Sequence, residues 1–227
     1  MFCKSVWFFI GMCVSLCPLF KGLDGSEAEK VFTGIYQNGV WGRDSQGNGI
    51  SGPGSALQNT EEYRNFLQSF LKEHNIRSVI DVGCGRWEFS RSIDWSGIQY
   101  TGYDVVKSVV EGDEAQFGTR TTRFLHGDAL LIDLPEADLL LCKDVLHHLP
   151  NKDIALFIKQ FPKFSYCLIT NDVDPLTHTS TNPDIQCGGF RGLDLAKPPF
   201  CVLGTNVLRY RTEQNKEKVV FLVTARQ

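Results

Sequence analysis

Acidic and glycine residues follow directly after a short apolar segment near residue 80. The stretch Val79-Ile-Asp-Val-Gly-Cys-Gly85 reads as a buried strand that ends in an aspartate and two closely spaced glycines. Glycines at such a point let backbone amides come close to a ligand. Asp81 and Glu88 place a carboxylate on each side of the loop, which would repel a pyrophosphate but would suit a ligand with an ammonium and a sulfonium. The sequence therefore predicts a binding loop for a positively charged ligand.

Two further acids follow the next two strand-like segments. Asp104 ends the stretch Tyr100-Thr-Gly-Tyr-Asp104, and Asp128 stands in Gly127-Asp-Ala129. A carboxylate at the end of a second strand can accept hydrogen bonds from both hydroxyls of a ribose, and the next acid falls at adenine distance. Acids in this order on successive strands indicate a ligand that contains adenosine.

These acids can meet only if strands and helices alternate along the chain. The predicted strands cover residues 77–82, 99–103, 123–126, 138–142, 166–170, 207–211 and 219–224, and the predicted helices begin near residues 60, 89, 105 and 151. This alternation predicts an α/β fold with a mostly parallel sheet and helices on both faces. The last two strands should form a hairpin that adds one antiparallel strand at an edge of the sheet.

Groups that can move a proton follow the fourth predicted strand. The stretch Asp144-Val-Leu-His147-His148 contains two adjacent histidines, one of which should face the cleft. An imidazole titrates near neutral pH and can take a proton from a hydroxyl. A histidine here could equally bond a carbonyl or pack in the core. We rank His147 first as the catalytic base and keep Asp144 and His148 as the other catalytic candidates.

Two long loops are predicted to enclose the substrate. Residues 34–55 are rich in glycine, serine and asparagine, yet they contain Tyr36 and Trp41, and a plain linker seldom carries large aromatics. A lid is therefore at least as well supported as a linker. A second loop follows Asp172 and carries Arg191, which could pair with an anionic substrate group or form an exposed salt bridge. We predict that both loops line a substrate cleft through these four residues.

Taken in order, four motifs resemble those of a known family. The stretches DVGCG (81–85), YTGYD (100–104), HGDA (126–129) and DLLLCKDVLHHLP (138–150) are similar to the successive motifs of class I S-adenosylmethionine-dependent methyltransferases. The resemblance covers residues 60–227. It implies a Rossmann-like sheet of seven strands, mostly parallel and closed by a C-terminal antiparallel hairpin, with S-adenosyl-L-methionine as cofactor.

The resemblance also implies a role for each motif residue by its position. The residues implied in cofactor binding are Asp81, Gly83 and Gly85 at the methionine end, Asp104 at the ribose, Asp128 and Ala129 at the adenine, and Lys143 with Asp144 beside the methyl donor. Trp87 stands where the family often has a third glycine. We predict that Trp87 stacks on the ligand or packs under the lid.

Composition limits the partners. The chain of 227 residues has a net charge of −3 and no basic patch interleaved with aromatics, so nothing favours nucleic acid as a partner. No Cys-x-x-Cys pair occurs, so we expect no metal site and reduced thiols. We expect a small-molecule or lipid-like acceptor, with oxygen favoured as the methylated atom, and infer no protein partner.

The N-terminus reads as a separate segment. Lys4 precedes an apolar run over residues 6–20, which resembles a signal-peptide core, is short for a membrane span and lacks a small-x-small cleavage site. We expect a signal-like or membrane-anchoring segment over residues 1–24, with a mis-annotated start as a competing interpretation. A Gly/Ser-rich lid region then covers 25–59 and a methyltransferase domain covers 60–227. Cytosolic-side membrane association is favoured, because the cofactor is made in the cytosol, over a signal-peptide-bearing protein.

Two other functions stay open at the level of the sequence. A nicotinamide-dependent oxidoreductase on a related fold would need a pyrophosphate-binding fingerprint, which is missing. A non-catalytic adenosyl-ligand-binding protein would keep the fold and the acids without the reaction.

Overall fold

A computed structural model describes residues 25–173 and 181–224. The helices are α1 (Glu27–Asn38), α2 (Glu61–Glu73), α3 (Lys107–Phe117) and α4 (Asn151–Ile158). The strands are β1 (Ser78–Val82), β2 (Gln99–Asp104), β3 (Thr122–His126), β4 (Ala137–Lys143), β5 (Phe164–Asp172), β6 (Thr205–Arg211) and β7 (Glu217–Thr224). Among these residues, none of the helices is both long and apolar enough to cross a membrane. The predicted signal-like or anchoring segment, residues 1–24, lies outside the described residues.

All seven strands form one sheet, in the order β3-β2-β1-β4-β5-β7-β6. The five strands β1 to β5 run parallel, and β7 is antiparallel to both β5 and β6. The mostly parallel α/β sheet and its closing hairpin are confirmed, but the antiparallel strand was wrongly placed at the edge. Val219, Val220 and Phe221 make β7 the more apolar strand of the hairpin, so it takes the interior position and β6 becomes the edge.

Side chains alternate across the sheet and build a core on each face. On β4, Leu139 and Leu141 pack in the core that contains the apolar face of α2. Leu140 and Cys142 point the other way, into the core that contains α1 and α4. A strand buried on both sides reads as a continuous apolar run, which is why β4 was recognisable in the sequence.

The structure corrects the prediction that residues 34–55 are a loop. Helix α1 runs through the first part of this stretch, from its cap at Ser26, whose hydroxyl accepts a hydrogen bond from the Glu29 amide, to a left-handed Gly39. Its buried residues Ala28, Phe32 and Tyr36 recur every four positions, a spacing that places them on one face. After Gly39 the chain does form turns, with two short 3₁₀ segments before α2. The helix predicted near residue 89 is a single 3₁₀ turn, Ser90–Ser92.

Candidate functional site

A cleft opens at the carboxyl ends of β1, β2 and β4, beneath α1. It encloses about 970 Å³ of empty space, including its opening to solvent, and most of its lining is apolar. Of the residues predicted from the sequence, those that line it are Tyr36, Trp41, Asp81, Gly83, Gly85, Asp104, Asp128, Ala129, Lys143, Asp144 and His148. Parallel strands bring their carboxyl ends to one edge of the sheet, which is why these distant residues meet. Trp87, His147, Asp172 and Arg191 are not among the described lining residues.

The glycine loop after β1 forms the floor of the cleft. Gly83 and Gly85 have φ angles of 72° and 55°, in the left-handed region that favours glycine. A Cβ atom at Gly83 would overlap the side chain of Val145, and one at Gly85 would lie 2.5 Å from Ser51 Oγ. Both positions therefore need glycine, and the bare backbone between them faces the cleft.

Asp104, at the end of β2, holds this loop in place. Its Oδ2 accepts a hydrogen bond from the Gly85 amide at 3.0 Å, and its Oδ1 accepts one from the Val106 amide at 2.9 Å. Burial raises the pKa of Asp104, although both amide hydrogen bonds oppose this effect. A carboxylate has about four acceptor sites, so Asp104 retains the capacity to bind hydroxyl groups of a ligand in the cleft.

Asp81 is a buried acid at the end of β1. Its Oδ2 accepts a hydrogen bond from the Tyr100 hydroxyl at 2.6 Å. Burial raises the pKa of Asp81 to about 6; the hydrogen bond from Tyr100 lowers it, and the nearby Asp104 adds to the rise. A cation in the cleft would stabilise the charged form of both carboxylates, so the site is suited to a positively charged ligand.

Residues 39–60, the lid segment, fold over the glycine loop. Ser51 Oγ accepts hydrogen bonds from the Tyr36 hydroxyl and from the Arg86 amide, both at 2.9 Å. The Ser51 amide donates to Glu88 Oε1 at 3.2 Å. The Arg86 guanidinium donates to the Gly49 carbonyl at 2.8 Å. These hydrogen bonds attach the segment to the glycine loop, which a plain linker would not require. Ser51 and Arg86 are part of the site that the sequence analysis did not identify.

Four alternating charges, the ion network, lie below the lid segment. Lys143 Nζ contacts Asp144 Oδ2 at 2.5 Å and donates to the carbonyl of Gly54 at 2.8 Å. Lys218 Nζ bridges Asp144 Oδ1 at 2.8 Å and Asp172 Oδ1 at 2.7 Å. Asp172 is thus held by Lys218 beneath the cleft surface. Lys218 was missed in the sequence, where its only signal is a lysine at the start of an apolar strand.

The ion network fixes the charge of Asp144. Burial alone would raise the pKa of Asp144, but the ammonium groups of Lys143 and Lys218 outweigh it and hold the pKa well below its usual range. Asp144 also has a φ of 60°, in the left-handed region that is uncommon for residues other than glycine. An acid that stays ionised at neutral pH and is already paired with two lysines is a poor proton acceptor.

The two histidines lie in different surroundings. His148 lines the cleft, where its ring lies 5.1 Å from the ring of Trp41. His147 is 2% exposed, and its Nδ1 accepts a hydrogen bond from the Asp172 amide at 3.3 Å. On the 3₁₀ turn at Leu146–His148, the planes of the two rings stand at 88° to each other. Of the two predicted candidates, His148 is therefore the histidine that lines the cleft, and His147 is buried beside it.

Arg191 serves the backbone rather than an anion. It is buried, and its guanidinium donates to the carbonyls of Leu146 and His147 and to Asn151 Oδ1. Neither the anionic substrate group nor the exposed salt bridge predicted for this arginine matches its position. The loop that follows Asp172 does reach the site, but it does so by holding the turn that carries the histidines.

Trp87 also lies elsewhere than predicted. Its ring packs against Tyr100, Phe117 and Phe124 at 5.2–5.6 Å, in the core on the α2 face of the sheet. A φ of 52° turns the residue away from the cleft. Trp87, which stands where the similar family often has a glycine, is therefore a core residue in this chain.

Comparisons with known proteins agree with this geometry. A family model described as a methyltransferase domain matches residues 80–161. A search of curated proteins finds no match. Within residues 25–173 and 181–224, no group of three or more His, Cys, Asp or Glu side chains could hold a metal ion.

Several solved structures have a similar fold. One is the 1,6-didemethyltoxoflavin-N1-methyltransferase of Burkholderia thailandensis with S-adenosylhomocysteine, with a TM-score of 0.60, 16% identity and coverage of 86% of each chain. Another is the N-methyltransferase NodS of Bradyrhizobium japonicum with S-adenosylhomocysteine, with a TM-score of 0.59 and 13% identity, covering 76% of this chain and 89% of that one. A third is the magnesium protoporphyrin IX methyltransferase of Synechocystis with bound SAM, with a TM-score of 0.58 and 12% identity, covering 89% and 99%.

Proposed function

Because the chain belongs to the class I S-adenosylmethionine-dependent methyltransferases, we propose that it methylates an oxygen atom of a small-molecule acceptor, with His148 as the base. The observation that carries the choice of base is the hydrogen bond between His148 Nδ1 and the Gly189 carbonyl at 2.7 Å. A carbonyl can only accept, so Nδ1 carries the proton and Nε2 keeps a free lone pair.

S-adenosyl-L-methionine is the cofactor, and the described cleft fits it. Glycines stand where a Cβ would leave no room. The carboxylates of Asp81 and Asp104 are buried, and within the described residues neither forms a salt bridge. We propose that Asp81, Gly83 and Gly85 hold the methionine end, that Asp104 binds the ribose, and that Asp128 with Ala129 lies at the adenine. When bound, the cofactor supplies an electrophilic methyl group on a positively charged sulfur.

His148 meets the requirements of a base for a hydroxyl acceptor. Burial lowers the pKa of His148, whereas the hydrogen bond to the Gly189 carbonyl raises it, and the net effect keeps the ring neutral at pH 7. Its Nε2 can then take the hydroxyl proton as the oxygen becomes nucleophilic. The ionised Asp144 helps to balance the imidazolium that results, because its charge lies close enough to raise the pKa of His148.

The walls near His148 favour an apolar or ring-containing acceptor. The ring of Trp41 lies 5.9 Å from Phe32 and 5.7 Å from Tyr36, and all three line the cleft. Flat aromatic walls bury large apolar surfaces of a ligand. Two of the similar structures are named for methyltransferases of small molecules, 1,6-didemethyltoxoflavin and magnesium protoporphyrin IX. We therefore favour a small molecule with a flat apolar body and a hydroxyl group.

A lipid-like acceptor is the second candidate. It rests on the apolar run in residues 1–24, which the structure does not describe. If this segment associates with a membrane on the cytosolic side, the cleft would be close to lipid substrates. The methyl-transfer assay described next distinguishes the two acceptor classes, because it measures label in the lipid fraction and in the soluble fraction separately.

Replacing His148 with glutamine should reduce methyl transfer by about 100-fold to 10,000-fold, the range for loss of a general base. The affinity for S-adenosylhomocysteine should stay within a few-fold of wild type. Transfer of a labelled methyl group to a cell extract, measured in the soluble and lipid fractions separately, provides the rate, and calorimetry provides the affinity. His74→Gln, at the opposite end of the sheet, is the matched control. Transfer at the wild-type rate in His148→Gln would rule out this base.

Cofactor affinity should depend on pH through Asp81. A bound cation favours the carboxylate, so binding is full above the pKa of about 6 and weakens as the pH falls below it, by up to roughly tenfold per pH unit. Calorimetry with S-adenosyl-L-methionine between pH 8 and pH 5 measures this slope. Asp81→Asn should bind more weakly but with a flatter pH profile. An affinity for wild type that is constant down to pH 5 would contradict the assignment.

A further inference from the structure

His147 and His148 are neighbours with opposite hydrogen-bonding partners. The Asp172 amide donates to Nδ1 of His147, so this nitrogen carries no proton, and a neutral ring must carry its proton on Nε2. The Gly189 carbonyl accepts from Nδ1 of His148, so this ring carries its proton on Nδ1. One backbone donor and one backbone acceptor therefore select opposite tautomers in adjacent residues.

Residues 188–191 pack against the 3₁₀ turn Leu146–His148, which we call the histidine turn. The Gly188 amide donates to the His148 carbonyl at 2.9 Å, and the Arg191 amide donates to the His147 carbonyl at 3.2 Å. The ring of Phe190 lies 5.2 Å from that of His147 and 5.8 Å from that of His148. Every residue of this short segment thus contacts the turn, and Gly189 provides the carbonyl that accepts from the ring of His148.

The side chain of Arg191 makes three further hydrogen bonds to this region. Its Nη1 donates to the His147 carbonyl at 3.2 Å and to the Leu146 carbonyl at 3.5 Å, and its Nη2 donates to Asn151 Oδ1 at 2.8 Å. The side chain is buried and forms no salt bridge with a described carboxylate. Burying a guanidinium against neutral acceptors costs free energy. Its three hydrogen bonds fix the geometry of the histidine turn.

We propose that Arg191 is a positioning residue, which docks the segment 188–191 on the histidine turn and thereby fixes His148 in the tautomer with Nδ1 protonated and Nε2 free for the acceptor. This inference rests on the proposed function, because the tautomer matters only if His148 takes a proton. Arg191 itself acts through the Gly189 carbonyl and does not line the cleft. Removal of Arg191 loosens that carbonyl, and the ring of His148 can then protonate on either nitrogen.

Nitrogen NMR of the histidine rings tests this inference without an acceptor. A protonated ring nitrogen and a bare one differ strongly in chemical shift, so the full chain with labelled histidine reports each tautomer directly. His148→Gln and His147→Gln assign the signals. Wild type should show Nδ1 protonated in His148 and Nε2 protonated in His147. In Arg191→Gln, the two nitrogen signals of His148 should shift toward each other, as expected for a mixture of tautomers.

Control variants distinguish a specific effect of Arg191 on the His148 tautomer from a general loss of folded structure. Arg209→Gln removes an exposed arginine of β6 and should leave the His148 signals unchanged. Arg191→Lys should give an intermediate shift, and it replaces Arg191→Gln if that variant does not fold. The inference is overturned if wild-type His148 carries its proton on Nε2, or if its signals are unchanged in a folded Arg191 variant. If the tautomers are as expected but His148→Gln transfers methyl groups at the normal rate, His148 is not the base and that part of the proposed function fails. The tautomer assignment would still hold in that case.

Discussion

Asp104→Ala is expected to lose measurable binding of S-adenosylhomocysteine, with affinity reduced by about 100-fold or more, which corresponds to about 3 kcal/mol. Two buried amides, those of Gly85 and Val106, would lose their acceptor, at a cost of about 1–3 kcal/mol each. The glycine loop would lose its anchor to β2, and the ribose would lose its proposed partner. Calorimetry with S-adenosylhomocysteine measures the affinity, and thermal unfolding measures the stability.

A matched control exists at the other end of the sheet. Asp138, at the start of β4, also accepts hydrogen bonds from two backbone amides, those of Arg77 and Ser78, at 2.8 and 2.9 Å. Asp138→Ala should therefore lower the melting temperature, yet cofactor affinity should stay close to wild type. Equal losses of affinity in both variants would mean that Asp104 matters only for folding, and the proposed ribose contact would fail.

Lys218→Met is expected to destabilise the fold strongly. It would leave the carboxylates of Asp144 and Asp172 buried and without their shared cation. Removing one partner of a buried ion pair costs about 3–5 kcal/mol. In a protein of this size, that corresponds to a drop in melting temperature of roughly 10 °C. Thermal unfolding followed by circular dichroism measures the change.

Two further variants identify the cause of this loss. Lys107→Met removes an exposed lysine paired with Glu111 four residues later on α3, and it should change stability by no more than about 0.5 kcal/mol. In Lys218→Met, Asp144 keeps its ion pair with Lys143, whereas Asp172 loses its ion-paired lysine. Adding Asp172→Asn removes that unpaired carboxylate and should recover part of the loss. If Lys218→Met melts within a degree of wild type, the ion network does not stabilise the fold.

The cofactor side of the cleft could be predicted because its signals are local. Asp81 and Asp104 lie at the ends of β1 and β2, and Gly83 and Gly85 follow β1. Parallel topology brings such strand ends together. No knowledge of loop conformation is needed for this inference. Lys143, which ends β4, was assigned from the family resemblance, and it also lines the cleft.

The rest of the site depends on contacts that the sequence does not encode locally. Lys218 meets Asp144 from 74 positions further along the chain, and the Arg86 amide reaches Ser51 from 35 positions away. For a similar reason, the sequence did not show which of the two histidines lines the cleft. Their orientations depend on a 3₁₀ turn and on carbonyl and amide partners at Gly189 and Asp172.

Misplaced elements have equally physical causes. Residues 34–55 were predicted to be a loop because they are rich in glycine and asparagine. The four-residue spacing of Phe32 and Tyr36, which indicates a helix, begins before this stretch and was not used. Trp87 was assigned by comparison with a family position, but its left-handed backbone turns the ring into the core. A positive φ at a tryptophan has no signature in composition or periodicity.

The hydrogen bonds of the lid segment bear on how fast the enzyme can work. Ser51 joins the segment to Arg86 and Glu88, and the Gly54 carbonyl joins it to Lys143, so the segment is hydrogen-bonded both to the glycine loop and to the end of β4. We expect the exchange of spent cofactor for fresh to require the opening of these hydrogen bonds. We therefore expect departure of S-adenosylhomocysteine, rather than the methylation step itself, to be the slowest event in each catalytic cycle.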